Sequence, residues 1–170
     1  MIAVKTILAL DPGTHRLGFA LIRKTRRGWK MLRMGTLKFS LKDSVPLRLK
    51  GIYEEVSRIV QRFQPDHMVV ESLHIRPYGQ RATLIVAQCV GTLLLLSAQQ
   101  GIPVFSYPMT TVRKTLTGNG SQPKSGLHRF VRAYLPDTVS LMDADADAWD
   151  ALALAVCHSL VLEDQIIDQE

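Results

Sequence analysis

Basic residues are missing from the end of this 170-residue chain. Residues 133–170 carry no Lys or Arg against nine Asp and Glu. Acidic residues are scarce before that: four against fourteen basic over residues 1–62, and two against seven over residues 63–132. The net +6 is therefore a basic body with a separate acidic cluster. That division suits a protein that attracts phosphates and also holds divalent cations. Cysteine is nearly absent too. Cys89 and Cys157 show no Cys-x-x-Cys spacing and sit in apolar helical patterns, which excludes a disulfide scaffold and predicts buried, reduced thiols in a cytoplasmic setting. There is no repeat, low-complexity run or linker, so residues 1–170 read as one domain. The opening MIAVKTILALDPG lacks a cleavage site and reads as a strand, not a leader. Charge is absent from residues 82–112, but the strongly apolar part, residues 84–96, is too short to span a bilayer. It reads as a buried helix, and no membrane partner is expected.

What is present alternates between two periods. Residues 4–10 are a continuous apolar run, hence a buried strand ended by Asp11-Pro12-Gly13. Residues 16–23 and 29–37 read as strands two and three around a basic tip, Arg26-Arg27-Gly28, giving an antiparallel meander. Val45, Leu49, Ile52, Val56, Ile59, Val60 and Phe63 then repeat at helical spacing, with Ser44 as a cap. His67–Glu71 is a short buried strand, residues 81–100 a long helix stopped by Gly101, and residues 102–107 a fifth strand. Residues 124–134 and 145–163 are helical, and residues 115–123 (TLTGNGSQP) are a loop. The expected fold is α/β: a mixed five-stranded sheet flanked by helices.

Carboxylates stand where such a sheet opens to ligands. Asp11 ends the first strand and Glu71 the fourth. Each alone reads as the first exposed residue after a strand. The run Asp143-Ala-Asp-Ala-Asp-Ala-Trp-Asp150 adds more: Asp147 and Asp150 are three apart, on one helical face that Leu154 continues inward. Helix-dipole stabilisation accounts for Asp143 and Asp145, but less well for Asp147 and Asp150, which lie deeper. Hard oxygen ligands select a hard cation such as Mg²⁺, with Mn²⁺ as a substitute. Two such ions are expected, one activating water and one stabilising the leaving 3′ oxygen of a phosphodiester.

Four segments together resemble the RuvC-type Holliday junction resolvases. They are ILALDPGTHRLGFALI, PDHMVVE, TVRKTLTGNGSQPKS and DAWDALALAVCH, in the family's order and spanning nearly the whole chain. The resemblance implies a ribonuclease H-like fold and a crossover junction endodeoxyribonuclease. It implies Mg²⁺-dependent paired nicks in four-way DNA junctions during recombination and repair. It also implies a homodimer, with the apolar helix of residues 82–98 as its contact, and a branch-migration motor complex as a further partner. It places the catalytic and metal-binding carboxylates at Asp11, Glu71, Asp147 and Asp150. DNA contacts fall at Lys124, at Arg113 or Lys114, and in the segment after Glu71. That segment departs from the family pattern. His74 stands where an aromatic residue is usual, Tyr78 offers a stacking surface, and Arg76 and Arg81 suit phosphate. Trp149 replaces an alanine of the last motif. A cleavage-site preference different from the usual family one is expected. Arg23, Lys24, Arg26 and Arg27 read equally as a junction-arm contact or a solvated turn.

Three alternatives compete. A ribonuclease H acting on RNA–DNA hybrids would draw a glutamate from the first helix, Glu54 or Glu55. A sugar-kinase-like phosphate loop at Asp11-Pro-Gly-Thr14 would need a second domain for which the chain has no room. A catalytically silent junction-binding module would have no reason to keep four carboxylates.

Overall fold

The computed structural model describes residues 6–73, 80–135 and 144–167. Five strands form one sheet in the order β3-β2-β1-β4-β5: β1 (Thr6–Asp11), β2 (Arg16–Thr25), β3 (Gly28–Lys38), β4 (His67–Glu71) and β5 (Val104–Tyr107). The first three form the expected antiparallel meander, and β4 and β5 continue it in parallel with β1, so the sheet is mixed. Helix α1 (Val45–Phe63) follows β3, α2 (Gln80–Gln100) follows β4, and α3 (Met109–Thr117), α4 (Lys124–Tyr134) and α5 (Ala146–Ile167) follow β5.

β1 is apolar throughout because both faces of the sheet are covered. Ile7 and Ala9 pack on one side with Val69, Ala20 and Ile22 beneath α5, flanked by α3 and α4. Leu8 and Leu10 pack on the other with Met68 and Val70 beneath α1 and α2. α1 buries Ile52, Val56 and Val60 along one stripe and exposes its charged face. α5 is wedged between the sheet and two helices, so residues 148–159 are buried all round. That explains an Ala-Leu-Ala-Leu run that shows no polar face.

Three expectations need correction. The segment at residues 115–123 is not all loop: its first three residues complete α3, which buries Val112 and Leu116 one turn apart. Pro108 before it and Gly118 after it, at φ 74°, are a helix start and stop that the neighbouring Gly-Asn-Gly obscured. α2 is not a buried helix. By length and composition it could cross a membrane, and only 22% of its most apolar window is buried. Only Cys89, Leu93, Leu96 and Ser97 are fully covered. Ser44 does precede α1, but its hydroxyl makes no capping bond; its carbonyl accepts from the Arg48 N–H at 3.1 Å. Both cysteines are free and buried as expected, and burial raises the Cys89 thiol to about 12, which makes it inert.

Candidate active site

Strand parity delivers the site. Along β1 the odd residues Ile7 and Ala9 face α5, and Asp11 continues that series past the end of the apolar run. On β4, Val69 faces α5 and Glu71 follows it. Leu10 pairs with Val70 in parallel register, so Asp11 and Glu71 end adjacent strands side by side. α5 enters above them. A Cβ on Gly18, the cross-strand partner of Asp11, would lie 2.0 Å from the Asp147 carbonyl oxygen. Only glycine lets the first turn of α5 approach this closely, which brings Asp147 and Asp150 down onto the strand ends.

The result is a cleft of about 380 Å³ whose lining includes Asp11, Glu71, Asp147, Asp150, Arg113 and Lys124. All four predicted carboxylates therefore meet. Their charges are handled unequally. The Asp11 carboxyl is set against that of Glu71, within hydrogen-bonding reach. Burial, first of all, then that contact and the charges of Glu71, Asp150 and Asp147 push it up to about 8. The helix-borne pair have cations instead. Lys124 Nζ donates to Asp150 Oδ2, and Arg16 Nε donates to Asp147 Oδ2 at 2.6 Å. Burial alone would lower the Lys124 ammonium, but its bond to Asp150 and the charges of Asp150, Asp11 and Asp147 hold it above its ordinary value. Asp150 is 6% exposed, and its second oxygen, Oδ1, is buried with no hydrogen-bond partner. A buried, unpaired carboxylate oxygen is costly unless a cation or donor reaches it. Among the described residues, no three His, Cys, Asp or Glu side chains close into a ready cation cage. The donor set is nevertheless all hard oxygen. Asp11, Glu71 and the free Asp150 Oδ1 suit a hard divalent ion.

Asp145 stands at the start of α5, as expected of a helix N-terminal acid, and its carbonyl accepts from the Ala148 N–H at 3.1 Å. It lies one residue before α5 and pairs with Arg16 at 3.1 Å and with Lys38 at 3.2 Å, which holds its carboxyl below the usual range. Arg113 lines the cleft from α3, with its Nε buried and unpaired, while Lys114, the next residue, is exposed and does not line it. Of the two, Arg113 is the one at the cleft. Arg81 is exposed in the first turn of α2 and does not line the cleft. His74, Arg76, Tyr78 and Asp143 lie outside the described residues. Trp149 is buried, with the His128 ring stacked at 5.2 Å and Arg132 over it at 4.9 Å. It joins α5 to α4, the helix that carries Lys124. The basic tip at Arg26 and Arg27 is at the far end of β2 from the cleft, and its neighbour Lys24 pairs with Glu163. Glu54 and Glu55 pair with Lys50 and Arg58 on α1, on the other side of the sheet from the cleft. The helix glutamate that the ribonuclease H alternative relies on is therefore not at the cleft. Reading the sequence missed Arg16, Lys38 and Gly18, because each matters through a partner distant in sequence. Only the Gly18 position, within a β-rich run, carried a local signal of close approach.

The family model described as "Crossover junction endodeoxyribonuclease RuvC" matches residues 7–158. A protein of that name from Pectobacterium atrosepticum is 36% identical over 152 residues, covering 89% of this chain and 86% of the relative. One from Mannheimia succiniciproducens is 34% identical over 158 residues, covering 92% and 76%. Among solved structures, Thermus thermophilus RuvC in complex with a Holliday junction substrate superposes with a TM-score of 0.84. It shares 24% identity and covers 95% of this chain and 96% of that one. The fowlpox virus Holliday junction resolvase gives 0.62 at 12% identity, covering 92% and 99%. These two show the fold: a resolvase-type sheet with helices on both faces.

Proposed function

The chain belongs to the RuvC family of crossover junction endodeoxyribonucleases, and from that premise we propose that it resolves four-way DNA junctions by paired phosphodiester nicks. The observation that carries this is the cleft at the strand ends, where four carboxylates meet two cationic side chains. Asp11, Glu71, Asp147 and Asp150 are the metal ligands, Mg²⁺ is the ion, and two ions fill the site. Bound there, Mg²⁺ supplies Lewis acidity for hydrolysis at phosphorus.

The chain's own groups do the rest. Arg113, with an unpaired Nε at the cleft, holds the scissile phosphate through charge-assisted bonds. Lys124 places a positive charge beside Asp150 where negative charge builds during displacement. Gly18 and the Trp149 contact fix α5 and α4 so that these groups keep their spacing. The preorganised cleft, not a single side chain, orients the phosphate in line with the attacking water.

One active site per chain cuts one strand, so paired nicks need two chains. The exposed face of α2 suits that role. Leu84 and Leu95 are 65% and 56% exposed, and Gly91 between them has nothing within 4 Å of its Cβ direction. Exposed residues 84, 88, 91, 95 and 98 alternate spacings of four and three, the seam of a helix pair. A homodimer through α2 follows. A branch-migration motor is a further partner on the family resemblance, and a DNA-acting chain with two buried free thiols belongs in the reducing cytoplasm.

The test is Mg²⁺-dependent cleavage of a four-way junction beside an RNA–DNA hybrid, with strand mapping. Symmetric nicks in the junction and an intact hybrid are expected. Preferential cleavage of the hybrid would overturn the reading.

A further inference from the structure

We propose that Arg16 is a positioning residue that sets the cation affinity of the Asp147 side of the cleft, by holding that carboxylate until a divalent ion takes it. The proposal rests on the metal-ligand reading above.

The four carboxylates fall into two classes. Asp11 and Glu71 lie against each other, and neither forms an ion pair with a basic side chain among the described residues. Asp147 and Asp150 each carry an internal cation. Asp150 keeps Oδ1 free, so Lys124 and an ion can share it. Asp147 is held by a cation that is itself fixed by a second carboxylate. Arg16 Nε lies 2.6 Å from its Oδ2, and the other arm of the same guanidinium, Nη2, lies 3.1 Å from Asp145 Oδ2. Asp145 is anchored in turn by Lys38 at 3.2 Å, and Lys38 is the cross-strand partner of Arg16. The fork is therefore aimed from both ends, by its strand and by Asp145. Release of the carboxylate requires rotation of the Asp147 side chain or departure of Arg16.

A guanidinium and a divalent ion compete for one carboxylate. Two consequences follow. The strand-side position, built on Asp11, Glu71 and Asp150 Oδ1, loads first. The Asp147 position loads weakly while Arg16 is paired, and strengthens when Arg16 finds another anion. The Arg16 side chain is 37% exposed beside Asp147, where two oxygens of a DNA phosphate offer its fork another bidentate partner. Substrate binding would then release Asp147 to the metal.

Calorimetric titration of the DNA-free full-length chain with Mn²⁺ tests this without reference to nicking. Wild type should show a tighter and a weaker event. Arg16→Gln should tighten the weaker event about fivefold, the loss of one partly exposed ion pair, and leave the tighter one unchanged. Arg16→Lys is the folding-safe variant, since an ammonium keeps the charge but cannot span both aspartates; a tightening of about twofold is expected. Asp147→Asn should remove the weaker event with or without Arg16→Gln. Unchanged Mn²⁺ affinities in both Arg16 variants would overturn the proposal while leaving the carboxylate site intact. A wild-type chain that binds no Mn²⁺ would overturn the metal-ligand reading itself.

Discussion

Replacing Gly18 with alanine probes how the site is assembled. The new Cβ would sit 2.0 Å from the Asp147 carbonyl oxygen and 2.5 Å from its carbonyl carbon. Ordinary contact begins at 3.4 Å, so β2 and α5 must part by about 1.4 Å. The obstruction is backbone on both sides and cannot rotate away. Because Gly18 pairs with Asp11, the separation falls directly on the spacing between Asp11 and Asp147. A misplacement of about 1 Å in a reacting constellation costs roughly 100-fold in rate. Overpacking of this kind costs about 1–3 kcal/mol, which lowers the melting temperature by roughly 3–10 °C for a chain of this length. Single-turnover nicking of a junction at saturating Mg²⁺ and thermal unfolding would be measured together. Gly35→Ala is the control: its Cβ meets only the Phe19 ring at 3.0 Å, away from the cleft, so it should lose stability and keep its rate. Nicking by Gly18→Ala within twofold of wild type would refute the reasoning.

Four further outcomes are expected. Asp11→Asn should abolish nicking yet raise the melting temperature of the metal-free protein at pH 8 by a few degrees, because it removes a carboxyl that burial and Glu71 keep from ionising freely; a lowered melting temperature would contradict this. Lys124→Met should cut the nicking rate about 100-fold and reduce the salt slope of junction binding by about one; an unchanged rate would remove Lys124 from the cleft chemistry. Leu84→Asp with Leu95→Asp should give a monomer in sedimentation that still folds, since both side chains face outward; a persistent dimer would move the interface elsewhere. His158 is buried between His67 at 2.9 Å and the Tyr107 hydroxyl at 2.8 Å, and burial lowers it to about 4 from 6.5. The folded state thus resists a proton that the unfolded chain accepts. Its contribution is complete above pH 6.5 and falls as pH drops towards 4, by up to about 3 kcal/mol. Urea titrations at pH 7 and pH 4.5 should show that loss in wild type beyond that in His158→Gln; equal losses would place the effect on other groups.

How far the fold was legible depended on where each signal lay. β4 and α4 match their expected bounds because each is announced locally: His67–Glu71 by an apolar run between Pro65-Asp66 and a carboxylate, and Lys124–Tyr134 by Pro123 and a clean helical period. The four carboxylates were legible for a related reason. Each interrupts a pattern that would otherwise stay apolar, and parity then decides the face on which it emerges. α3 was obscured because its last turn shares residues with a glycine-rich loop. α2 was misjudged because apolar composition was equated with burial, whereas Leu84, Leu94 and Leu95 face outward. Arg16 and Lys38 were not legible, and Gly18 was so only as a position of close approach. Their roles depend on strand register and on contacts 107 to 131 positions apart in sequence, from Lys38 with Asp145 to Arg16 with Asp147. Nothing local distinguishes Arg16 from the other basic residues of the first two strands.

The central claim is that the carboxylates at the strand ends and on α5 form one metal-dependent nuclease centre acting on four-way junctions. The most direct measurement places wild type beside Glu71→Gln on the same junction, scoring binding in Ca²⁺ and nicking in Mg²⁺. Wild type should bind and introduce paired, symmetry-related nicks. Glu71→Gln should bind at least as tightly, having lost a negative charge near the phosphates, and leave every strand intact. Nicking retained by Glu71→Gln, or wild-type nicking that persists without a divalent ion, would contradict the account.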